Sequence, residues 1–266
     1  MSQLALLKYE QTKSFLLQLH LQSGINHLGS SLSCLEIVFV LFKYYFHQGH
    51  DFILSKGHAC SAIYSTLASA GLLSKSEFSQ IYKNGSPYHV HISKKLVEKF
   101  PNLQFPTGSL GHGLPLAAGL AYGELLLKKS KKTFCLMSEG DCNEGTTWEA
   151  AQFAAHHELQ NLICLIDHNK IQALGKSEQV LKTFSYKNKW ESFGFEVFNC
   201  HRGNSIKDVQ ITVAKAVKSK SLKPKCIVFH TEKGNGISEI EGTVKSHYAV
   251  MTPEMFNTKG FDRHEK

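Results

Sequence analysis

The stretch Thr133-Phe134-Cys135-Leu136-Met137-Ser138-Glu139-Gly140-Asp141-Cys142-Asn143-Glu144-Gly145 decides how this chain is read. A short apolar run opens onto a turn of glycines and acids. A second apolar run, Leu162-Ile163-Cys164-Leu165-Ile166, closes on Asp167-His168-Asn169. Continuous apolar runs bounded by turn residues suit strands buried on both faces. Between the two runs, Thr147 to Ala155 reads as a crossover helix. Two strands a crossover apart, each ending in oxygen-bearing side chains, are the pattern of an α/β sheet holding a metal-bound phosphate at its strand ends.

Working outward, residues 4 to 21 place Leu4, Leu7, Tyr9, Phe15, Leu16 and Leu19 at helical spacing, and a second helix is expected from Ser33 to about Tyr45. Phe52 to Ser55 reads as a strand, and Lys56-Gly57-His58 opens a helix from Ala59 to Ala70 that stops at Gly71. Residues 84 to 107 form a long polar connection, a length that often marks a functional loop. Gly108 to Gly123 is a Gly-rich turn feeding a small-residue helix. Strand 133–138, helix 147–157, strand 162–166, strand 195–199, helix 205–219 and strand 226–230 follow. With neither repeat nor linker, this is one doubly wound parallel α/β domain over residues 1–266.

A chain of 266 residues, 42% hydrophobic and 20% charged, is ordinary globular material. The net charge of +8 is scattered, and its Lys clusters at 128–132 and 215–225 lack interleaved aromatics. They give weak support for anionic ligands and no case for nucleic acid. The seven cysteines form no CxxC pair and sit mostly in apolar runs, which suits buried, reduced thiols in a cytoplasmic protein. No run of 18 apolar residues and no signal peptide pattern is present, so no membrane role is expected.

Five separated segments converge on one family. They are Asn26-His27-Leu28-Gly29-Ser30-Ser31-Leu32-Ser33, Leu54-Ser55-Lys56-Gly57-His58-Ala59, Thr107-Gly108-Ser109-Leu110-Gly111-His112-Gly113, the 138–169 unit, and Thr231-Glu232-Lys233-Gly234-Asn235-Gly236. Each resembles transketolase, in the family's order and to about Pro253. The match is to the N-terminal, diphosphate-binding domain, so the chain resembles the N-terminal subunit of a split transketolase. The resemblance implies thiamin diphosphate and Mg²⁺ as cofactors.

By eye, Gly140-Asp141-Cys142 suggests the family's Gly-Asp-Gly metal turn. Counting back from Asn169 and from Glu144 to the family's metal Asp lands both times on position 139, so Ser138-Glu139-Gly140-Asp141 is the matching segment. The resemblance then implies a metal held by Glu139, Asn169 and the Ile171 carbonyl. The alternatives are that Glu139 is a dead ligand or that Asp141 substitutes for it. Gly140 lets the backbone approach the diphosphate closely. His27, His58 and His247 match active-site histidines that bind diphosphate or face the reacting carbon. His89 and His91 both stand as counterparts of a further family histidine, and His112 is a supporting residue. Gly108 and Leu110 would line the aminopyrimidine, while Asp141, Asn169, His58, His247 and the cation Lys233 would serve the cofactor. Glu144 matches a carboxylate that meets its counterpart across a subunit interface.

What the resemblance implies is transfer of a two-carbon ketol unit from a ketose to an aldose, with sugars or sugar phosphates as substrates. The pyrimidine-binding domain that activates the cofactor would come from a C-terminal partner subunit, and a heterotetramer is the expected form. The rival readings are a thiamin-dependent decarboxylase or dehydrogenase subunit, and a catalytically silent cofactor-binding subunit.

Overall fold

In the computed structural model, which describes residues 8–257, the two apolar runs are the central strands of one sheet. The strands are β1 (Asp51–Leu54), β2 (Thr133–Ser138), β3 (Leu162–His168), the short β4 (Ile171–Gln172) and β5 (Gly175–Lys176), β6 (Glu196–Cys200) and β7 (Lys225–His230). The main sheet has the order β1-β2-β3-β7-β6, and every pairing in it is parallel. β4 and β5 form a small antiparallel hairpin.

Parallel strands need both faces covered, and alternation along each strand divides the core in two. Phe134, Leu136, Ile163, Leu165, Ile227 and Phe229 pack with Leu35, Val38, Ile63 and Val213 from the helices Leu28–Tyr44, Cys60–Ser69 and Ile206–Lys218. Cys135, Met137, Cys164, Ile166, Cys226 and Val228 face Leu114, Ala118, Ala151 and Trp190 of Gly113–Leu126, Gly145–His156 and Tyr186–Ser192. The doubly wound architecture expected from the sequence is what forms. All seven cysteines are free and buried, as their apolar neighbours implied.

The topology also locates the site. The chain steps from β1 to β2 to β3 in one direction, jumps to the edge strand β6, and returns to place β7 beside β3. Connections leaving β3 and β7 diverge, which opens a crevice at their carboxyl ends.

Some boundaries differ from expectation. Leu4 and Leu7 lie outside the described residues, and the first helix runs Tyr9–Ser23. The second helix begins at Leu28 rather than Ser33, so Ser30 and Ser31 belong to its first turns. Gly29 permits this, because a Cβ there would stand 2.4 Å from the Ser246 carbonyl. The long connection contains a short helix, Lys94–Lys99, capped by Ser93, and Leu103 pairs with Phe52 at the edge of the sheet. Leu28–Gln48 is long and apolar enough to cross a membrane by length and composition, but 83% of that window is buried. It is the core helix on which one sheet face packs.

Candidate functional site

At the strand ends a cavity of about 590 Å³ gathers residues from many separate segments. His27, His58, His247, Gly108, Leu110, Glu139, Gly140, Glu144, Asn169, Ile171 and Lys233 all line it. Ser30, Lys56, Asp167, Ser138, Asn143 and Gln172 line it as well, residues to which the sequence alone assigns no role.

The floor is an ion pair. Lys56 and Asp167, each about 1% exposed, meet directly, and Lys56 Nζ also donates to the Ser30 carbonyl at 3.1 Å. Burial would raise the Asp167 carboxyl, but Lys56 beside it outweighs that and holds it below the usual carboxylate range. Ser33 and Thr231 donate to the same carboxylate, and Asn169 Nδ2 donates to it at 3.2 Å and to Ser33 Oγ at 2.9 Å. This network fixes Asn169, whose Oδ1 accepts the Ile171 N–H at 3.0 Å.

One wall is made of imidazoles. His27, His58 and His247 form a triangle with ring centres 4.9 to 5.6 Å apart. Burial pulls all three below the ordinary histidine range, and Lys56 reinforces this at His58 and Lys233 at His247, which falls to about 3. They are therefore neutral near pH 7. Lys233, 2% exposed, donates to the Ile171 carbonyl at 3.0 Å and lies 2.8 Å from His247 Nδ1. Burial, with Lys56 nearby, lowers its pKa to about 7.

His91, and not His89, enters the site. His91 lines the cavity beside Gly57 and Gly108, where a Cβ on Gly57 would stand 2.9 Å from its Nδ1. The His89 carbonyl accepts the Tyr64 hydroxyl, and its side chain lines a separate surface hollow. His112 is exposed, with its ring turned to the Leu110 carbonyl.

Glu139 and Asp141 divide their roles sharply. Glu139 is on the cavity wall, with its carboxylate also reached by His168 Nδ1 at 2.8 Å and the Lys170 N–H at 2.6 Å. Asp141 is 0% exposed, and its oxygens accept from Ser55, the Gly111 N–H at 2.8 Å, and the Ser138 N–H and hydroxyl, each at 2.7 Å. The expectation that Asp141 binds the cofactor is thus corrected. Its carboxylate ties the turn after β2 to two neighbouring loops and has no lone pair directed to the cavity. It does not substitute for Glu139 either.

The donor set is informative. Among the described residues no cluster of three His, Cys, Asp or Glu side chains could hold a metal. Glu139, Asn169 and Ile171, which line the cavity together, instead bring a carboxylate, an amide oxygen and a backbone carbonyl, a mixed hard-oxygen set in which each oxygen keeps a further lone pair. His27 Nδ1, Ser30 Oγ and His91 Nδ1 are buried without a hydrogen-bond partner, and all three residues line the cavity. Buried polar atoms are rarely left unpaired, so these mark where a polar ligand belongs. A Cβ on Gly140 would stand 2.8 Å from Leu110, within the same cavity wall.

The family model described as transketolase, thiamine diphosphate binding domain, matches residues 20–261. The chain belongs to this family. It is 30% identical over 259 residues to one subunit of the apulose-4-phosphate transketolase of Phocaeicola vulgatus, covering 94% of this chain and 90% of that one. To the subunit of the same name from Actinobacillus succinogenes it is 36% identical over 233 residues, covering 84% of this chain and 82% of that one. Among solved structures, the transketolase of Campylobacter jejuni superposes with a TM-score of 0.84 at 26% identity, covering all of this chain but 44% of that one. The chain thus spans less than half of the transketolase it superposes on, and most of each of the two apulose-4-phosphate transketolase subunits.

The cavity suits the family's cofactor. Thiamin diphosphate carries a diphosphate that needs hydrogen-bond donors and positive charge, and Lys233, Ser30 and the neutral imidazoles supply both at close quarters.

Proposed function

We propose that this chain is the N-terminal subunit of a two-chain transketolase, which binds thiamin diphosphate with Mg²⁺ and moves a two-carbon ketol unit from a ketose to an aldose. The observation that carries this is the convergence of Lys233, three histidines, the oxygen donors Glu139, Asn169 and Ile171, and three unpartnered polar atoms on one cavity. Glu139, Asn169 and the Ile171 carbonyl would hold Mg²⁺, and Ser30, His58, His247, Gly140 and Lys233 the diphosphate. Gly108 and Leu110 would flank the pyrimidine.

The bound cofactor supplies the nucleophilic carbon and the electron sink for carbon–carbon cleavage beside a carbonyl. This chain's residues orient and exchange protons. Because His27, His58 and His247 are neutral, each ring carries one N–H and one bare nitrogen; Lys233 occupies the bare Nδ1 of His247, which leaves that ring a donor, while His27 and His58 can offer either role to the reacting hydroxyls. Lys233, poised near neutrality by burial, gains its full charge when an anionic diphosphate arrives.

Glu144 is exposed at the cavity rim, which suits a residue completed by another chain. The apulose-4-phosphate transketolase relatives are named as subunits, which implies such a partner. We therefore assign the pyrimidine-binding half of the site to a separate C-terminal subunit, with two copies of each chain in the assembly. Sugar phosphates are the substrate class, and buried free thiols agree with a cytoplasmic setting.

The test is calorimetric titration of thiamin diphosphate and Mg²⁺ into the chain and into Glu139→Ala and Asp141→Ala. Glu139→Ala is expected to lose binding with its melting temperature little changed. Asp141→Ala is expected to lower the melting temperature, since it strands four donors. Ketol transfer should appear only when the partner chain is added. Loss of binding in Asp141→Ala alone, or full activity from the isolated chain, would overturn the reading.

A further inference from the structure

The end of β3 and the residues after it divide by task. Asn169 and Ile171 line the cavity, whereas the His168 ring and the Lys170 backbone N–H grip Glu139. The grip is complete. His168 Nδ1 lies 2.8 Å from one carboxylate oxygen and the Lys170 N–H 2.6 Å from the other. A carboxylate only accepts hydrogen bonds when ionised, so the proton of this contact sits on His168 Nδ1. Lys170 reaches its partner because its backbone is left-handed, with φ of 66°. The His168 ring is itself held between Tyr186 and His230, at centre distances of 4.9 and 5.2 Å. Each Glu139 oxygen keeps a further lone pair.

We infer that His168 is a positioning residue for the cation site, holding the long, flexible Glu139 side chain so that its remaining lone pairs face Asn169 and Ile171. This rests on the cofactor reading above. A glutamate has one more rotatable bond than an aspartate, so an unrestrained Glu139 would lose more freedom on binding a cation. Two N–H donors on its carboxylate remove that freedom in advance. Outer hydrogen bonds of this kind, when deleted, typically weaken metal affinity about 10- to 100-fold.

The experiment measures Mg²⁺ affinity at saturating thiamin diphosphate by calorimetry, with melting temperature as the folding control. His168→Leu should weaken Mg²⁺ about 10- to 100-fold. His168→Asn should restore most of the loss, because its amide N–H falls where Nδ1–H stood. In a Glu139→Asp background the shorter carboxylate no longer reaches the ring, so His168→Leu should add little there. Wild-type affinity in His168→Leu would overturn the inference, as would an equal loss in both backgrounds. If the wild-type chain bound no thiamin diphosphate with Mg²⁺, the cofactor reading would fall first and this inference with it.

Discussion

The body of β3 and the residues around its carboxyl end obey different rules. From Leu162 to Ile166 every side chain is apolar and at most 1% exposed, alternating between the two halves of the core. Asp167 and Asn169 are also buried, at 1% and 8%, but they are polar and belong to a network. The body is stabilised by removing apolar surface from water, a diffuse effect proportional to area. The rim carries desolvated charges whose cost is offset by specific partners, and some polar atoms there have none. Stability is therefore concentrated in the body, and the rim holds groups ready for a ligand.

That contrast breaks most visibly at adjoining ends of the strand. Asp167→Asn should cost about 3–5 kcal/mol, because it leaves the Lys56 ammonium buried without its counter-charge. Leu165→Ala, in the body, should cost about 2–5 kcal/mol through lost burial and a residual cavity. Similar size would hide different causes, and pH separates them. With its partner gone, burial lowers the Lys56 pKa, so the folded variant binds fewer protons than the unfolded chain and recovers stability as pH rises. Leu165→Ala should show no such recovery relative to wild type. Denaturant melts at neutral and alkaline pH check this. A constant deficit for Asp167→Asn would mean that the rim pair is stabilised like the core around it.

The same contrast explains how much the sequence alone disclosed. The strands 133–138, 162–166 and 226–230 were legible to within two residues, because uninterrupted apolar runs have few other uses. The site histidines and Lys233 were legible only through their places in ordered motifs. Spacing also distinguished Glu139 from Asp141, where the residue types beside Gly140 pointed the other way. What could not be read was pairing in space. Lys56 and Asp167 are 111 positions apart, and nothing local to either marks a buried ion pair. Ser30 was hidden because Gly29-Ser30-Ser31 has turn composition, while Gly29 in fact serves close packing against Ser246. His89 and His91 share an environment in sequence and differ only in which way the connection turns. The role expected for Asp141 failed because an acid in a glycine turn looks alike whether it faces ligand or loop.

The smallest effect is the most specific to the rim. His27, His58 and His247 have folded pKa values below the ordinary histidine value, chiefly through burial, with His247 near 3. The sign follows directly. As pH falls below about 6.5, the unfolded chain takes up protons on these rings and the folded chain does not. Stability is then full above that value and declines toward pH 3, whereas Asp167, whose pKa is also depressed, loses its contribution only below the ordinary aspartate range. Melting temperature should therefore fall between about pH 7 and about pH 5, with the buried His20 adding to the fall and Glu36, whose carboxyl burial raises, opposing it. In His247→Asn, which has no proton to gain there, the fall should be shallower by one histidine's share. Leu165→Ala should lower the whole curve and leave its slope unchanged. Parallel curves for wild type and His247→Asn would show that this ring is solvated enough to protonate freely in the folded chain, and the neutral donor–acceptor role given to it would not stand.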